Sequence, residues 1–353
     1  MSASRFRAGD LVEVRSREEI LSMLGPDGRM WRDRLPFMPE MLQFCGRRFR
    51  IANVAHKTCD TATRLMGRRM RDTVFLEDLR CDGSAHGGCQ ARCLLFWRTQ
   101  WLKPVDPVHP QVERPSPKNA PRCTERQLQD STSGVNASGE TRYTCQATEH
   151  WAASEPMESL SLWHFIEDVR SRNVTVGEVI RAVGLNLVWR MRFLGTGYRF
   201  SLWLYDRVHR LVTGKPDPYR PGRLPDGART PEEKLDLRPG EWVEVKSQDE
   251  ILDTVTKSGF NRGMAWGEEL TLACGEKFRV AQRVSRIIDE ATGRMIDMKN
   301  PCITLEGFYC KAHYTQYSLL CSRRAVPYFR EIWLKRVPSD EEQRKMGSEQ
   351  VRP

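Results

Sequence analysis

Gly9-Asp10-Leu11-Val12-Glu13-Val14-Arg15-Ser16 comes back near the other end of the chain as Gly240-Glu241-Trp242-Val243-Glu244-Val245-Lys246-Ser247. Each copy places a Gly-acidic turn before a short alternating run, the pattern of a half-buried strand. Both then continue with an acidic pair, Ile-Leu and a short amphipathic stretch. Further out, Glu40 and Cys45-Gly46-Arg47-Arg48-Phe49-Arg50 match Glu269 and Cys274-Gly275-Glu276-Lys277-Phe278-Arg279. Val74-Phe75-Leu76-Glu77 and Cys81 match Ile303-Thr304-Leu305-Glu306 and Cys310, and each copy closes on Trp-Leu-Lys, at Trp101 and at Trp333. The spacing is stricter than the identities. Cys45 to Cys81 and Cys274 to Cys310 are both 36 positions, and Cys89 to Trp101 and Cys321 to Trp333 are both 12. Matched intervals together with matched residues point to an internal duplication, with modules near residues 7–107 and 237–338.

Each module reads mostly as β. Phe49-Arg50-Ile51 and Phe278-Arg279-Val280 alternate after a glycine, and Ile287 to Ile296 holds a Thr292-Gly293 turn between apolar runs, as a hairpin does. Several short strands with one small helix predict a small barrel. The expected fold class is therefore α+β: two repeated small β-barrel modules, a linker and a helical segment. The opening Gly-Asp-x-Val-x-Val resembles the first strand of bacterial SH3-like barrels, including the KOW type, and that resemblance implies an SH3-like fold for the modules. Arg80-Cys81-Asp82-Gly83-Ser84-Ala85-His86-Gly87-Gly88-Cys89 and Tyr143-Thr144-Cys145-Gln146-Ala147-Thr148-Glu149 resemble segments of a family of uncharacterised bacterial proteins. This second resemblance spans both modules and the piece between them, and implies no activity.

Residues 108–157 have linker composition, with Pro110, Pro115, Pro117 and Pro121 close together among Ser, Thr and Gln. Cys123 and Cys145 are unusual in a passive tether, so either the ends of the segment fold back on the first module or these are free thiols. Residues 158–214 read as a basic, aromatic helical segment. Thr175-Val176-Gly177-Glu178 is a capping box ahead of Val179, Ile180, Val183, Leu187 and Val188. A second helix carries Phe200, Leu202, Trp203, Tyr205, Val208 and Leu211 and stops at Gly214. Arginines interleaved with these residues form either a solvated face or an amphipathic surface for anionic lipid or nucleic acid. Gly195-Thr196-Gly197 is no phosphate loop, because no Gly-Lys-Ser/Thr follows.

Over 353 residues with 39% hydrophobic side chains, no run of about 18 apolar residues occurs, so no transmembrane segment is expected. No apolar stretch backs the arginines of the first residues, which leads to the expectation of a cytoplasmic, reducing location. Eleven cysteines in that setting suit metal or thiol chemistry better than disulfides. The formal charge of +10 favours anionic partners, or is only a soluble basic surface.

The densest cluster is Cys81, His86, Cys89 and Cys93, at intervals of five, three and four. Thiolate and imidazole suit zinc, and short glycine-rich loops let them converge on one ion. Cys59 or Cys145 completes that site in this reading, and thiolates also suit an iron–sulfur cluster. A possible second site is Cys310, His313 and Cys321. Cys45 and Cys274, each beside a strand, read as core. His56 next to Cys59 offers a base for a nucleophilic thiol. Arg68, Arg69 and Arg71 form a candidate anion-binding cluster.

Three functions follow from these features. The first is a metal-stabilised, zinc-binding scaffold or adaptor that meets a protein partner. The second is an iron–sulfur or thiol-dependent enzyme or redox partner in a biosynthetic pathway. The third is a nucleic-acid-binding protein. No serine-hydrolase elbow, dinucleotide fingerprint or kinase signature is present.

Overall fold

A computed structural model of the chain describes residues 6–61, 67–105, 122–157, 162–191, 198–315 and 318–338. The prolines from Pro107 to Pro121 and the Gly195-Thr196-Gly197 stretch, both singled out above, lie outside these. The architecture is mixed α+β, with curled, barrel-like sheets. The chain divides into two compact units. One holds residues 1–180, 286–297 and 315–325, and the other holds residues 181–285, 298–314 and 326–353.

In the first unit, β1 (Leu11–Val14) follows the Gly-Asp turn and buries Val12 and Val14. α1 (Arg17–Met23) starts at a capping box in which Ser16 and Glu19 satisfy each other's backbone N–H groups. β2 (Arg48–Val54), β3 (Thr58–Cys59), β4 (Gly67–Arg69), β5 (Thr73–Arg80), β6 (Leu94–Arg98) and β7 (Leu102–Pro104) follow. The main sheet has the order β6-β5-β2-β1-β7, antiparallel throughout, with register breaks between Ile51 and Asn53 and between Phe75 and Arg80. Such irregularities bend a sheet and let it curl. Phe37, Phe75, Phe96, Trp97 and Trp101 are buried in the core around it, the Phe37 and Trp101 rings meeting edge to face at 5.1 Å.

The stretch with linker composition carries structure of its own. α2 (Glu125–Asp130), β8 (Ser133–Val135), β9 (Thr141–Tyr143) and β10 (Glu155–Pro156) lie in residues 122–157, and Cys123, Leu128 and Cys145 are buried in the first unit's core. Gln146 fixes this segment to the sheet edge: its Oε1 accepts from Phe96 N at 2.8 Å and its Nε2 donates to Phe96 O at 2.9 Å. α3 (Trp163–Arg170) docks on β2 through Asn173, whose amide makes two 2.8 Å bonds with the Val54 backbone. α4 (Val176–Met191) begins at the expected Thr175–Glu178 capping box and crosses the boundary between the units.

In the second unit, α5 (Tyr198–Thr213) ends before Gly214. β11 (Trp242–Val245), α6 (Gln248–Leu252), β12 (Phe260–Asn261), β13 (Met264–Ala265), β14 (Lys277–Ile288), β15 (Met295–Leu305) and β16 (Leu334–Arg336) complete the chain. The sheet order is β15-β14-β11-β16. Val12 stands opposite Phe49 and Glu13 opposite Lys103, while Val243 stands opposite Phe278 and Glu244 opposite Lys335. Ser247 and Glu250 form a capping box at the start of α6, as Ser16 and Glu19 do at α1. The turn joining β14 to β15, closed by Asp289 N donating to Arg294 O at 2.8 Å, falls where the Thr292-Gly293 pair predicts a hairpin.

Candidate metal centre

β5 ends at Arg80 and β6 begins at Leu94, and the intervening loop carries Cys81, His86, Cys89 and Cys93. Cys81 N donates to Cys93 O at 2.9 Å, so the loop closes at its neck. Gly83, at φ +75°, makes the turn that folds the loop onto itself; a Cβ there would stand 2.0 Å from Cys89 O, a position only glycine tolerates. Ala85 O, on the far side, accepts from Thr132 Oγ1 at 2.7 Å and Gln129 Nε2 at 3.0 Å, so the segment after the linker buttresses the loop.

This folding buries His86, and the turn over Pro39–Phe44 buries Glu40 beside it. The ligand atoms of Glu40, Cys81 and His86 all lie within 4.8 Å of one another, the single such trio of His, Cys, Asp or Glu side chains among the described residues. Cys81 Sγ is 3.3 Å from His86 Nε2, and the tetrahedral bond lengths of zinc put such a pair at about 3.5 Å. Glu40 Oε1, Glu40 Oε2 and His86 Nδ1 are buried with no hydrogen-bond partner among the described residues, and Nδ1 approaches Oε1 only to 3.9 Å. Buried polar atoms are rarely left so, because each costs about 1–3 kcal/mol of lost solvation.

A cavity of about 30 Å³ adjoins the trio, and Cys89, Cys93 and Cys145 line it together with Glu40, Cys81 and His86. Cys81, Cys89 and Cys93, expected to converge on one ion, line one cavity. They do not stand at single-ion spacing, since no trio of these thiols lies within 4.8 Å and thiolates around one zinc stand about 3.8 Å apart. Burial dominates the electrostatics. It raises Glu40 to about 7, Cys145 to about 11 and Cys93 to about 12, raises Cys81 strongly, and lowers His86. Each shift disfavours the charged form. Burial thus favours the neutral form of these side chains together.

Several expected ligands lie elsewhere. Cys59 is absent from the cavity lining; the pairing of β3 with β4 turns it to Cys321, whose Sγ accepts from Cys59 N at 3.0 Å. The possible second site is divided, with Cys321 in the first unit and Cys310 and His313 in the second. His56 does not serve Cys59 as a base: its Nε2 lies 2.9 Å from Asp168 Oδ1, and Asp168 also pairs with Lys57. The arginine cluster is neutralised internally. Arg68 is buried, donates to Trp151 O and Ser154 O at 2.6 Å each and lies over the Trp151 ring; Arg69 pairs with Glu167, and Arg71 with Glu155 at 2.8 Å. Cys45 and Cys274 pack with the cores, and burial raises their thiols to about 11 and about 12.

Glu40 is the member of this trio that sequence reasoning missed as a candidate ligand. Its one signal is a lone carboxylate inside Phe37-Met38-Pro39-Glu40-Met41-Leu42. Glu269, at the matching sequence position, is half-buried, and it accepts from Tyr314 N at 2.9 Å and Lys311 N at 3.3 Å. Among the described residues no helix is long and apolar enough to cross a membrane. No protein-family model matches the chain, and no curated protein matches it.

Proposed function

We propose that the chain is a metal-stabilised binding or scaffold protein, with a zinc-type ion held by Glu40, Cys81 and His86. Cys89, Cys93 or Cys145 of the adjoining cavity is the fourth donor. The observation that carries this reading is the set of orphaned atoms: both Glu40 oxygens and His86 Nδ1, buried against the Cys81 thiol. A cation supplies the partner they lack. Burial of Glu40 and His86, with Cys81 half-buried and a fourth thiol close at hand, suits a closed structural site, whereas a catalytic zinc keeps a position open to water. On this reading the two sheets are duplicated SH3-like modules, supported by the matching registers of β1 with β2 and β7 and of β11 with β14 and β16. A protein partner is the natural ligand of such a scaffold.

A second reading has its own support. Four thiols, Cys81, Cys89, Cys93 and Cys145, line one cavity yet stand too far apart for a single tetrahedral ion. An iron–sulfur cluster spreads its cysteines over several irons and so tolerates wider spacing. Anaerobic purification with elemental analysis and an absorption spectrum separates the two. About one zinc per chain without a visible chromophore supports the first, and iron with sulfide and visible absorption supports the second. Neither metal, after purification in medium supplemented with both, refutes both.

A further inference from the structure

Away from the cavity, Cys59 and Cys321 meet across 262 residues of sequence. The contact is built and not incidental. Two backbone N–H groups, of Cys59 at 3.0 Å and of Arg323 at 3.4 Å, point at Cys321 Sγ. The two thiols are hydrogen-bonded to each other. Arg323 is buried beside them: its guanidinium donates to Cys59 O at 3.3 Å and to Thr61 Oγ1 at 2.7 Å, and grips both Glu290 oxygens at 2.9 Å. The 318–325 segment is anchored on the same strand, because Ser322 N and Oγ both donate to Lys57 O, at 3.2 Å and 2.9 Å. Cys59 is partly exposed while Cys321 is buried.

We propose that Cys59 and Cys321 form a peroxide-oxidisable dithiol, in which Cys59 takes the first oxidation and Cys321 resolves it to a reversible disulfide. The reading is independent of any metal in the cavity. Access decides the order, since Cys59 is the partly exposed residue of the two. The charge is prepared: the Cys321 hydrogen bond, with the Arg323 guanidinium behind it, outweighs burial and the Glu290 carboxylate and lowers Cys59 to about 7. A thiolate, not a thiol, is the nucleophile. The Cys59 thiolate attacks one oxygen of a hydroperoxide, the O–O bond breaks, and a sulfenic acid forms with release of water or an alcohol. The Cys321 sulfur then attacks the Cys59 sulfur, the S–O bond breaks, and the departing hydroxide takes the thiol proton as water. Two thiols lose two electrons and the peroxide gains them. A small dithiol reverses the step by thiol–disulfide exchange.

The test uses the full chain, treated with equimolar hydrogen peroxide, digested without reductant and mapped by mass spectrometry. The expected result is a crosslinked peptide pair joining Cys59 to Cys321 as the main product, reversed by dithiothreitol and formed whether or not the protein holds metal. In Cys321→Ala the crosslink disappears and dimedone traps Cys59 as the sulfenic acid; in Cys59→Ser both products disappear. Because the wild-type map needs no variant to fold, it decides the matter alone. No Cys59–Cys321 pair, or Cys59 joined mainly to another cysteine, overturns the proposal.

Discussion

Asp168→Ala should destabilise the first unit by about 3–5 kcal/mol, because it leaves the Lys57 charge buried without its counter-ion. The structure sets that magnitude. Lys57 and Asp168 are both fully buried, on the β2–β3 connection and on α3, and they pair directly. Lys57 Nζ also has His164 Nδ1 at 3.4 Å and the Phe165 ring at 4.7 Å, with weaker electrostatic support from Cys321 and Glu167. A desolvated ring returns about 2 kcal/mol at best, which cannot replace a carboxylate. Urea titration followed by far-ultraviolet circular dichroism measures the loss. A pH series supplies the sign. Burial lowers Lys57 in spite of Asp168, so the folded chain binds that proton more weakly than the unfolded chain. Without Asp168 the penalty shrinks as the pH rises towards about 10, where the unfolded lysine also loses its proton. The double variant Lys57→Met with Asp168→Leu should recover most of the stability, since a well-packed apolar pair commonly equals a buried ion pair. A loss below about 1 kcal/mol in the single variant, or a double variant no better than the single, refutes the argument that this pair pins α3 to the sheet.

Metal removal should leave a protein that weakens as the pH rises. Glu40 is raised from 4.5 to about 7, so its contribution is full below about pH 4.5 and is lost through about 7, a change of about 3 kcal/mol. Glu40→Gln should flatten that dependence in chelator-treated protein while lowering metal content, as elemental analysis reads. Gly83→Ala should cost at least about 2 kcal/mol and release metal, because its Cβ meets the Cys89 backbone. Cys123→Ser should leave metal content unchanged yet lower stability by about 1–2 kcal/mol in a urea titration, since Cys123 is fully buried in the core.

What the sequence revealed and what it hid divide along a physical line. The Gly-acidic turns, the alternation of Val12 and Val14 and of Val243 and Val245, and the Thr175–Glu178 cap are local patterns, set by neighbours a few residues apart, and the structure carries them all. Long-range partners leave no such trace. Nothing near Cys59 announces Cys321, and nothing near Arg69 announces Glu167. Composition misleads in its own way. Residues 122–157 are polar enough to read as a tether, yet three buried side chains, Cys123, Leu128 and Cys145, and one well-satisfied amide, Gln146, fix them to the first unit. Lone buried residues in a polar stretch have no periodicity to detect.

The two matching glutamates show why chemistry concentrates in the first unit. A buried carboxylate must find donors, be protonated, or meet a cation. Glu269 takes the first course: the 311–314 stretch comes close enough for its backbone N–H groups to cap the oxygens. Glu40 cannot, because the corresponding loop turns inward at Gly83, spends its own N–H groups of His86 and Gly88 on Gly83 O, and presents side chains instead. Those side chains are a thiol, which offsets only part of the burial of Glu40, and an imidazole whose Nδ1 stays 3.9 Å from Oε1. The loop has thus exchanged backbone capping for a donor set of oxygen, sulfur and nitrogen, and only protonation or a cation completes it. Burial favours the protonated carboxyl and raises Glu40 to about 7. On the proposed reading a metal ion completes this donor set in the first unit's loop, where Glu269 of the second unit has backbone donors instead.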